Sequence, residues 1–348
     1  MARPLRIDIR NGWYHVTARG NERRAVFRDD RDRRRFLELL EEWVERFGLR
    51  LHAYVLMENH YHLLVQTPQA NLSQAMQWLQ VSYTVGFNRR HRRAGHLFQG
   101  RFHAVVLEPS AGVEVSRYVH LNPVRIERLG LGKPGRQRAR AGMGGPTDSK
   151  LVAERIRRLR AYRWSSYRSY AGLGQGPSWV TRGDVLKMLG GRAGDGPRRR
   201  AYRQFVEEAV RDGMPPSPWE QLRGGVLLGS AEFARRLRSG LRGDEKEQAA
   251  LRRLRQTAGF DQVVTIVQRM KGEKWEAFRD RYGDWGRDLA LYLGRKRCGM
   301  RLRELAEVAG GLDYGSASGA LRRFEQQLSR DKKLAALARE GLRELENN

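Results

Sequence analysis

The sequence predicts an α+β protein: a ferredoxin-like (split βαβ) domain with an antiparallel sheet, followed by a mostly helical C-terminal region. Two observations predict this fold class. In the first 122 residues, β-favouring runs alternate with helical stretches in the order β-α-β-β-α-β, which is the order of the split βαβ fold. Beyond about residue 221, the apolar residues recur with helical spacing only.

The first four elements of this domain rest on local patterns. Residues 13–19 form a short β-favouring run, and residues 31–47 place apolar side chains along one helical stripe. Residues 49–57 and 60–67 are two apolar runs with two residues between them. This spacing predicts an antiparallel hairpin.

A second helix, a fourth strand and a third helix follow. Asn71 has the character of an N-cap, with Gln74 three residues on and an amphipathic stretch behind it. Residues 98–107 are predicted as the fourth strand. The third helix is expected to begin near Gly112 and to stop at Asn122, because the proline that follows disfavours helical geometry at the residue before it.

The length of 348 residues suits two or three domains. Residues 129–150 are rich in Gly and basic residues and lack periodicity, which favours a solvated mobile insertion over a DNA-clamping arm. We expect a first domain at 1–128, a basic Gly-rich insertion or linker at 129–160, an aromatic-rich accessory region at 161–245 and a helical region at 246–348. The accessory aromatics are expected to cover one side of the first domain.

The chain is strongly basic. Its 67 basic and 39 acidic residues give a formal net charge of +28. Such a surface attracts polyanions and holds them by releasing counterions, so nucleic acid is the leading partner. Most of the basic residues are Arg, which suits bidentate phosphate contacts, although genomic base composition accounts for an Arg excess equally well.

Several classes of protein and site are excluded. The N-terminus MARPLRIDIR has no apolar core, and no apolar run approaches the ~18 residues of a membrane span, so we expect a cytoplasmic protein that enters no membrane. Cys298 is the single cysteine, which excludes an intrachain disulfide and a multi-thiolate metal site. All eight histidines lie between His15 and His120, so imidazole chemistry belongs to the first third of the chain.

A histidine pair and a tyrosine–asparagine pair are the candidate chemical groups. Residues i and i+2 of a strand share a face, so His60 and His62 project side by side and can share one metal ion; a polar strand face is the alternative. Tyr118 and Asn122 stand four residues apart, hence one turn apart on one helix face. Asn122 can then supply a third ligand, while Tyr118 points at the group that the metal polarises.

This combination suits the cleavage of a phosphodiester. A divalent ion offsets the negative charge of the phosphate oxygens and positions the group for in-line displacement. A tyrosine hydroxyl can then form a covalent phosphotyrosine and release a free 3′-hydroxyl. Two neutral imidazoles and an amide oxygen favour Mg²⁺ or Mn²⁺ if DNA oxygens and water complete the shell, and Zn²⁺ stays open on ligands alone.

Several stretches resemble the single-tyrosine HUH transposases, and specifically the REP-associated tyrosine transposases. The two main motifs are residues 57–64 (MENHYHLL) and residues 117–125 (RYVHLNPVR). Further matches are residues 14–21 (YHVTARGN), 98–101 (FQGR) and 164–167 (WSSY). The resemblance is strong from residue 13 to about 125 and continues less tightly to about 240.

The resemblance implies a function and a substrate. It implies that His60, His62 and Asn122 bind Mg²⁺ or Mn²⁺, and that Tyr118 cleaves single-stranded DNA to leave a 5′-phosphotyrosine. The implied partner is single-stranded or hairpin DNA: a repetitive extragenic palindrome with a short single-stranded foot, cut and joined in trans. It also implies a monomer, while a dimer stays open because related insertion-sequence enzymes are dimers.

One position departs from the family pattern, since Glu58 stands where proline is usual. In a continued strand its carboxylate would share the face of the two histidines. We favour instead a residue that only caps the hairpin turn, because turn residues rarely keep strand parity.

Polar and basic residues beside the predicted site are candidate DNA contacts. They are Arg19, Asn21, Arg23, Arg24, Arg101 and His103. The first four follow the first strand, and the last two lie on the predicted fourth strand. Ordinary surface charge is the alternative for each of them in so basic a protein.

The C-terminal region contains a candidate helix-turn-helix. Residues 287–297, 302–309 and 316–329 form three short predicted helices, and Ser316 is a candidate N-cap for the last. The stretch 289–324 resembles the DNA-binding helix-turn-helix of the replication initiator DnaA. Its candidate DNA contacts are Ser316, Ser318, Arg322 and Arg323. A structural helical cap is the alternative.

Two other functions stay open. One is a catalytically silent, sequence-specific DNA-binding regulator that kept the fold, although a pure binder has no need of Tyr118, His60, His62 and Asn122 together. The other is a replication-type HUH nickase. The lone nucleophile and the short domain favour a transposase over it.

Overall fold

The computed structural model describes residues 7–126, 129, 131, 149–190, 194–211, 214–215, 217–222, 226–240, 259–298, 300, 302–310, 312 and 314–347. They belong to two compact units, Ile7–Gln221 and Leu222–Asn348. Most of the predicted insertion at 129–150 lies outside the described residues. No helix among the described residues is both long and apolar enough for a membrane span.

The first unit is built on four antiparallel strands. They are β1 (Gly12–Arg19), β2 (Arg50–Met57), β3 (His60–Thr67) and β4 (His103–Leu107). Their spatial order is β2-β3-β1-β4, with β1 paired to both β3 and β4. This is the split βαβ order, so the predicted ferredoxin-like fold is confirmed.

Three helices pack on the two faces of this sheet. They are α1 (Asp30–Phe47), α2 (Leu72–Arg90) and α3 (Gly112–His120). Phe36 of α1 contacts Tyr83 of α2 and also Tyr61 of β3. His62 points to the opposite side of β3 from Tyr61 and contacts Tyr118 of α3. The sheet therefore separates α1 and α2 from the face that carries the histidines.

The residues at the ends of α1 and α2 test the helix-capping patterns of the sequence. The side chain of Asp29 accepts hydrogen bonds from two amides of the first turn of α1, and Gly48 ends this helix in the left-handed conformation with φ +58°. Asn71 is the N-cap residue of α2, as predicted, but its side chain makes no capping hydrogen bond, and its Nδ2 donates to the carbonyl of Phe47. The bond to Phe47 fixes the orientation of the amide, and Oδ1 accepts no hydrogen bond from the first turn of α2.

The fourth strand is shorter than predicted. Residues 98–107 were expected to be extended, but β4 begins only at His103. Phe98 forms an isolated bridge to Gly20, and Gly100 adopts φ +86°, which turns the chain out of the strand direction. The third helix ends at His120, slightly before the predicted stop.

A second set of helices completes the first unit. They are α4 (Ser149–Ala161), α5 (Tyr167–Tyr170), α6 (Gly183–Met188) and α7 (Asp195–Arg211), followed by a 3-10 turn at Pro218–Gln221. Residues 149–160 of the predicted linker are thus helical, and the buried Arg155 donates to the carbonyl of Leu129.

The aromatic-rich segment covers the free edge of β2. Leu56 donates its amide to the carbonyl of Trp164, and the Tyr162 hydroxyl donates to the carbonyl of Leu56. Ser166 donates its amide to the carbonyl of Tyr54. These bonds satisfy edge groups that would otherwise be open to pairing with another chain, and they confirm the expected cover on one side of the domain.

The second unit is mainly helical. Its elements are β5 (Leu227–Leu228), α8 (Ala231–Gly240), α9 (Phe260–Lys271), α10 (Trp275–Phe278), α11 (Trp285–Arg297), α12 (Leu302–Val308), α13 (Tyr314–Leu328) and α14 (Lys332–Asn347). Two expectations fail here: β5 interrupts the predicted all-helical region, and Ser316 lies inside α13 and is not its N-cap. Helices α11 to α13 share a small core around Leu291, Leu305 and Leu321.

Candidate active site

Three histidines meet on the sheet face below α3. His60 and His62 share one face of β3 with their ring centroids 5.1 Å apart, as strand parity predicts. His15 of β1 lies on the same face, and its ring stacks on that of His62 at 5.0 Å. Its Nε2 lies 2.9 Å from Nδ1 of His62.

Neighbours hold one nitrogen of each ring in the pair. Nδ1 of His60 lies 2.7 Å from Oδ1 of Asn59, and an amide oxygen only accepts, so Nδ1 carries the proton. Nε2 of His60 therefore keeps a lone pair. When Nδ1 of His62 donates to Nε2 of His15, the same holds for His62. This arrangement leaves both Nε2 atoms as candidate ligands, with partners that fix the rings.

Burial keeps these imidazoles neutral. Desolvation, then the charge of Arg19, lowers the pKa of His60 to about 4. Desolvation, then the neighbouring histidines, holds the pKa of His62 well below its ordinary value. Desolvation, then the charge of His103, lowers the pKa of His15 to about 3. Neutral imidazoles at pH 7 suit the binding of a cation.

Helix α3 brings Tyr118 to this face. The Tyr118 ring is half-buried and lies edge-on to His62 at 5.8 Å and to His15 at 5.9 Å. Asn122 follows the helix, and its Nδ2 donates to the carbonyl of Tyr118 at 2.9 Å and to that of Val119 at 3.2 Å. The amide therefore caps the end of α3, and Oδ1 is its remaining acceptor. Metal binding by Asn122 stays a prediction.

Two further side chains enclose the Tyr118 ring. The guanidinium carbon of Arg125 lies 4.2 Å from the ring centroid. Trp219, in the 3-10 turn after α7, stacks on His15 at 4.3 Å and lies 5.0 Å from Tyr118 at an interplanar angle of 80°. Sequence reasoning gave neither residue a role: Arg125 ends the second motif, and no local pattern marks Trp219.

The candidate DNA contacts at the end of β1 lie beside the histidine pair. Arg19 is exposed and stands opposite His60 across the β1–β3 ladder. Asn21, Arg23 and Arg24 are exposed in the turn that follows. Arg24 forms an ion pair with the neighbouring carboxylate of Glu22 at 2.7 Å, which partly offsets its positive charge.

The other predicted residues of the first unit are Arg101, His103 and Glu58. Arg101 was predicted on the fourth strand but precedes it, whereas His103 is the first residue of β4 and stands opposite Thr17; both side chains are exposed. Glu58 is exposed in the two-residue turn between β2 and β3, as favoured from the sequence.

In the second unit, the four predicted contacts all lie on α13. Ser316, Arg322 and Arg323 are exposed, whereas Ser318 is half-buried. The guanidinium carbon of Arg323 lies 5.1 Å from the ring centroid of Tyr282. A DNA-binding role for this helix stays a prediction.

The donor atoms of the site are two imidazole nitrogens and one amide oxygen. Among the described residues, no group of three or more His, Cys, Asp or Glu side chains is arranged to hold an ion. A cation here would take the two Nε2 atoms of His60 and His62 and the Oδ1 of Asn122, and it would need water or phosphate oxygens to complete its shell. This neutral, open set can accept Mg²⁺ or Mn²⁺ bound together with an anionic substrate, and Zn²⁺ stays open on the ligands alone.

Comparisons with known proteins bear on this segment. No curated protein matches the chain. A solved structure described as "Structure of the REP associates tyrosine transposase bound to a REP hairpin" aligns with 15% identity and a TM-score of 0.34, covering 53% of this chain and 93% of that chain. Residues 8–122 match the family model described as "Transposase IS200 like". The transposase resemblance is thereby confirmed, as a similarity to the IS200-like transposases, for the segment that carries the histidine pair, Tyr118 and Asn122.

Proposed function

We propose that this protein is a metal-dependent single-strand DNA endonuclease and strand transferase that acts through a 5′-phosphotyrosine on Tyr118. The observation that carries the proposal is the Tyr118 ring, held 5.8 Å from the ring of His62 on the face that both histidines share. His60, His62 and Asn122 would hold Mg²⁺ or Mn²⁺. When bound, the ion offsets phosphate charge and polarises the phosphoryl group.

The covalent step belongs to Tyr118. Its hydroxyl oxygen attacks the scissile phosphorus in line with the P–O3′ bond. The Tyr118 O–P bond forms, the P–O3′ bond breaks, the phenol proton passes to solvent, and the departing 3′ oxygen takes a proton from water. Because the phosphotyrosine conserves the bond energy, a 3′-hydroxyl can later reverse the attack and join a strand.

The substrate class we propose is an unpaired stretch beside a palindromic hairpin. The net charge of +28 favours DNA, and the motif resemblance points to repetitive extragenic palindromes. A strand that reaches Tyr118 must lie across the histidine face near Arg19 and Asn21, both exposed. Paired bases would obstruct that path, whereas unpaired bases expose faces and edges to side chains.

The test uses one labelled palindrome from the repeats that flank the gene, offered as each separate strand and as a perfect duplex. With Mn²⁺, the wild type should form a covalent adduct on the 5′ end of one strand only, resolved on a denaturing gel. Tyr118→Phe should form none and still bind DNA. His62→Ala should lose the activity, whereas Tyr61→Phe, which changes the opposite face, should keep it.

Two outcomes would overturn the proposal. Efficient cleavage of the duplex, or of both strands alike, would exclude a single-strand tyrosine mechanism. Tight, sequence-specific binding without any adduct in Mg²⁺ or Mn²⁺ would favour the catalytically silent regulator.

A further inference from the structure

Arg125 lies against the proposed nucleophile. It follows the 3-10 turn Asn122–Val124, and its amide donates to the carbonyl of Asn122 at 3.1 Å. Its guanidinium carbon lies 4.2 Å from the centroid of the Tyr118 ring, and the residue is half-buried. The segment similar to the IS200-like transposases ends at residue 122, so that match assigns no role to Arg125.

The guanidinium also lies within electrostatic range of His62. Its positive charge is one of the causes, after desolvation and the neighbouring histidines, that keep the pKa of His62 low. The charge therefore acts on the same small region that Tyr118 and His62 border. A scissile phosphate placed between these two residues would lie next to a cationic side chain.

This position suits transition-state chemistry. Attack by a phenol builds negative charge on the non-bridging oxygens of the phosphate, and a guanidinium can donate two parallel hydrogen bonds to such oxygens. A donor that is already in place when charge develops contributes most to the rate. A ring-stacked guanidinium is held in place before the substrate arrives.

We propose that Arg125 is a further catalytic residue, which binds a non-bridging oxygen of the scissile phosphate and offsets its charge as Tyr118 attacks. This inference rests on the proposed function. The bonds made and broken are those of the Tyr118 step, and Arg125 stays protonated throughout. It donates hydrogen bonds and transfers no proton.

The first experiment measures the rate of adduct formation on a normal strand and on strands with a methylphosphonate at the scissile position, one diastereomer at a time. This substitution removes the charge of one non-bridging oxygen. On the normal strand, Arg125→Gln should be slower than wild type by about 10²- to 10³-fold. On one diastereomer the difference should shrink to about tenfold or less, because the charge that Arg125 offsets is gone.

A matched control for Arg125 is Arg117, on α3. The guanidinium carbon of Arg117 lies 4.1 Å from the centroid of the Phe205 ring, and Arg117 pairs with Glu114, so it makes a cation–ring contact with a ring other than that of Tyr118. Arg117→Gln should show the same ratio to wild type on both kinds of strand. A purely structural role for Arg125 would produce that same pattern.

The second experiment keeps the inference testable when no methylphosphonate strand reacts. Free guanidinium ion added to Arg125→Ala should restore part of the adduct on the normal strand, and it should not restore Tyr118→Phe. The inference is overturned by wild-type rates in Arg125→Gln, or by equal losses on all strands with no guanidinium rescue. If the wild type itself forms no adduct, the proposed function fails and this inference fails with it.

Discussion

Lowering the pH from 7.5 to 5.0 should destabilise the first unit through its buried histidines. Two of them lie outside the proposed metal site. His120 is fully buried, with Nδ1 2.7 Å from the Tyr202 hydroxyl and Nε2 2.8 Å from Oγ of Ser166, and desolvation lowers its pKa to about 3. His52 is fully buried and stacks on Trp13 at 3.9 Å, and desolvation lowers its pKa to about 4.

The sign follows from which state binds the proton. In the unfolded chain, imidazole is protonated below a pKa of about 6.5, whereas in the folded unit His52 and His120 stay neutral until the pH approaches 4 or 3. The stability of the unit is therefore complete above pH 6.5 and falls as the pH is lowered. At pH 5.0, each of the two residues should cost about 2 kcal/mol relative to pH 7.5.

Urea titrations at both pH values, in excess chelator, measure this loss. His120→Gln and His52→Gln each remove one titrating group, so each variant should lose about 2 kcal/mol less than wild type between pH 7.5 and 5.0. If the two units unfold in separate transitions, the transition that His120→Gln shifts at pH 7.5 is that of the first unit, because His120 lies in it. His96 is exposed, and His96→Gln should leave the loss unchanged. If both buried-site variants lose as much stability as wild type, the reasoning is refuted.

Three more predictions concern the site and the second unit. Asn59→Ala should weaken Mn²⁺ binding by about 10- to 100-fold, because Nδ1 of His60 loses its partner; unchanged affinity in calorimetry would contradict this. Trp219→Ala should slow adduct formation more than Trp219→Phe, which keeps an aromatic ring there; equal rates would exclude a role for the ring contact. Replacing Arg322 and Arg323 together by Ala should lower the slope of log affinity against log salt by about 2, and an unchanged slope would remove α13 from the DNA interface.

The elements with strong local periodicity were predictable. The run at residues 60–67 coincides with β3, and the helical stripe at residues 31–47 differs from α1 by one residue. Strand parity by itself also places His60 and His62 on one face. These features depend on spacing within a few residues, which a single sequence contains in full.

The ends of the helices were less predictable, because the hydrogen bonds of a polar side chain depend on which partners the folded chain brings near it. Asn71 precedes α2 as an N-cap would, yet its amide bonds to the carbonyl of Phe47 at the end of α1. Ser316 lies inside α13, because the helix already begins at Tyr314. A capping pattern states what a residue can do, and the tertiary neighbours decide which bond forms.

The site contains one residue that topology alone could have added. In the split βαβ order, β1 lies beside β3. Alternate residues of a strand share a face, so His15 lies on the same face of β1 as Thr17 and Arg19. These two residues stand opposite His62 and His60 on β3. The position of Trp219 could not be predicted from topology or strand parity. It reaches His15 only through the path of the chain after α7, which no local pattern specifies.

Burial of histidines has two consequences in the first unit, one at His62 and one at His120. Desolvation keeps His62 neutral at pH 7, so a cation can bind its Nε2 without first displacing a proton, and desolvation of His120 makes folding acid-sensitive. The two effects separate by position, because His120 bonds to Tyr202 and Ser166 and not to the histidine pair. His120→Gln should therefore change the acid stability of the unit while leaving the pH profile of adduct formation above pH 6.5 in place. A shift in that profile would show that the two groups of histidines are coupled.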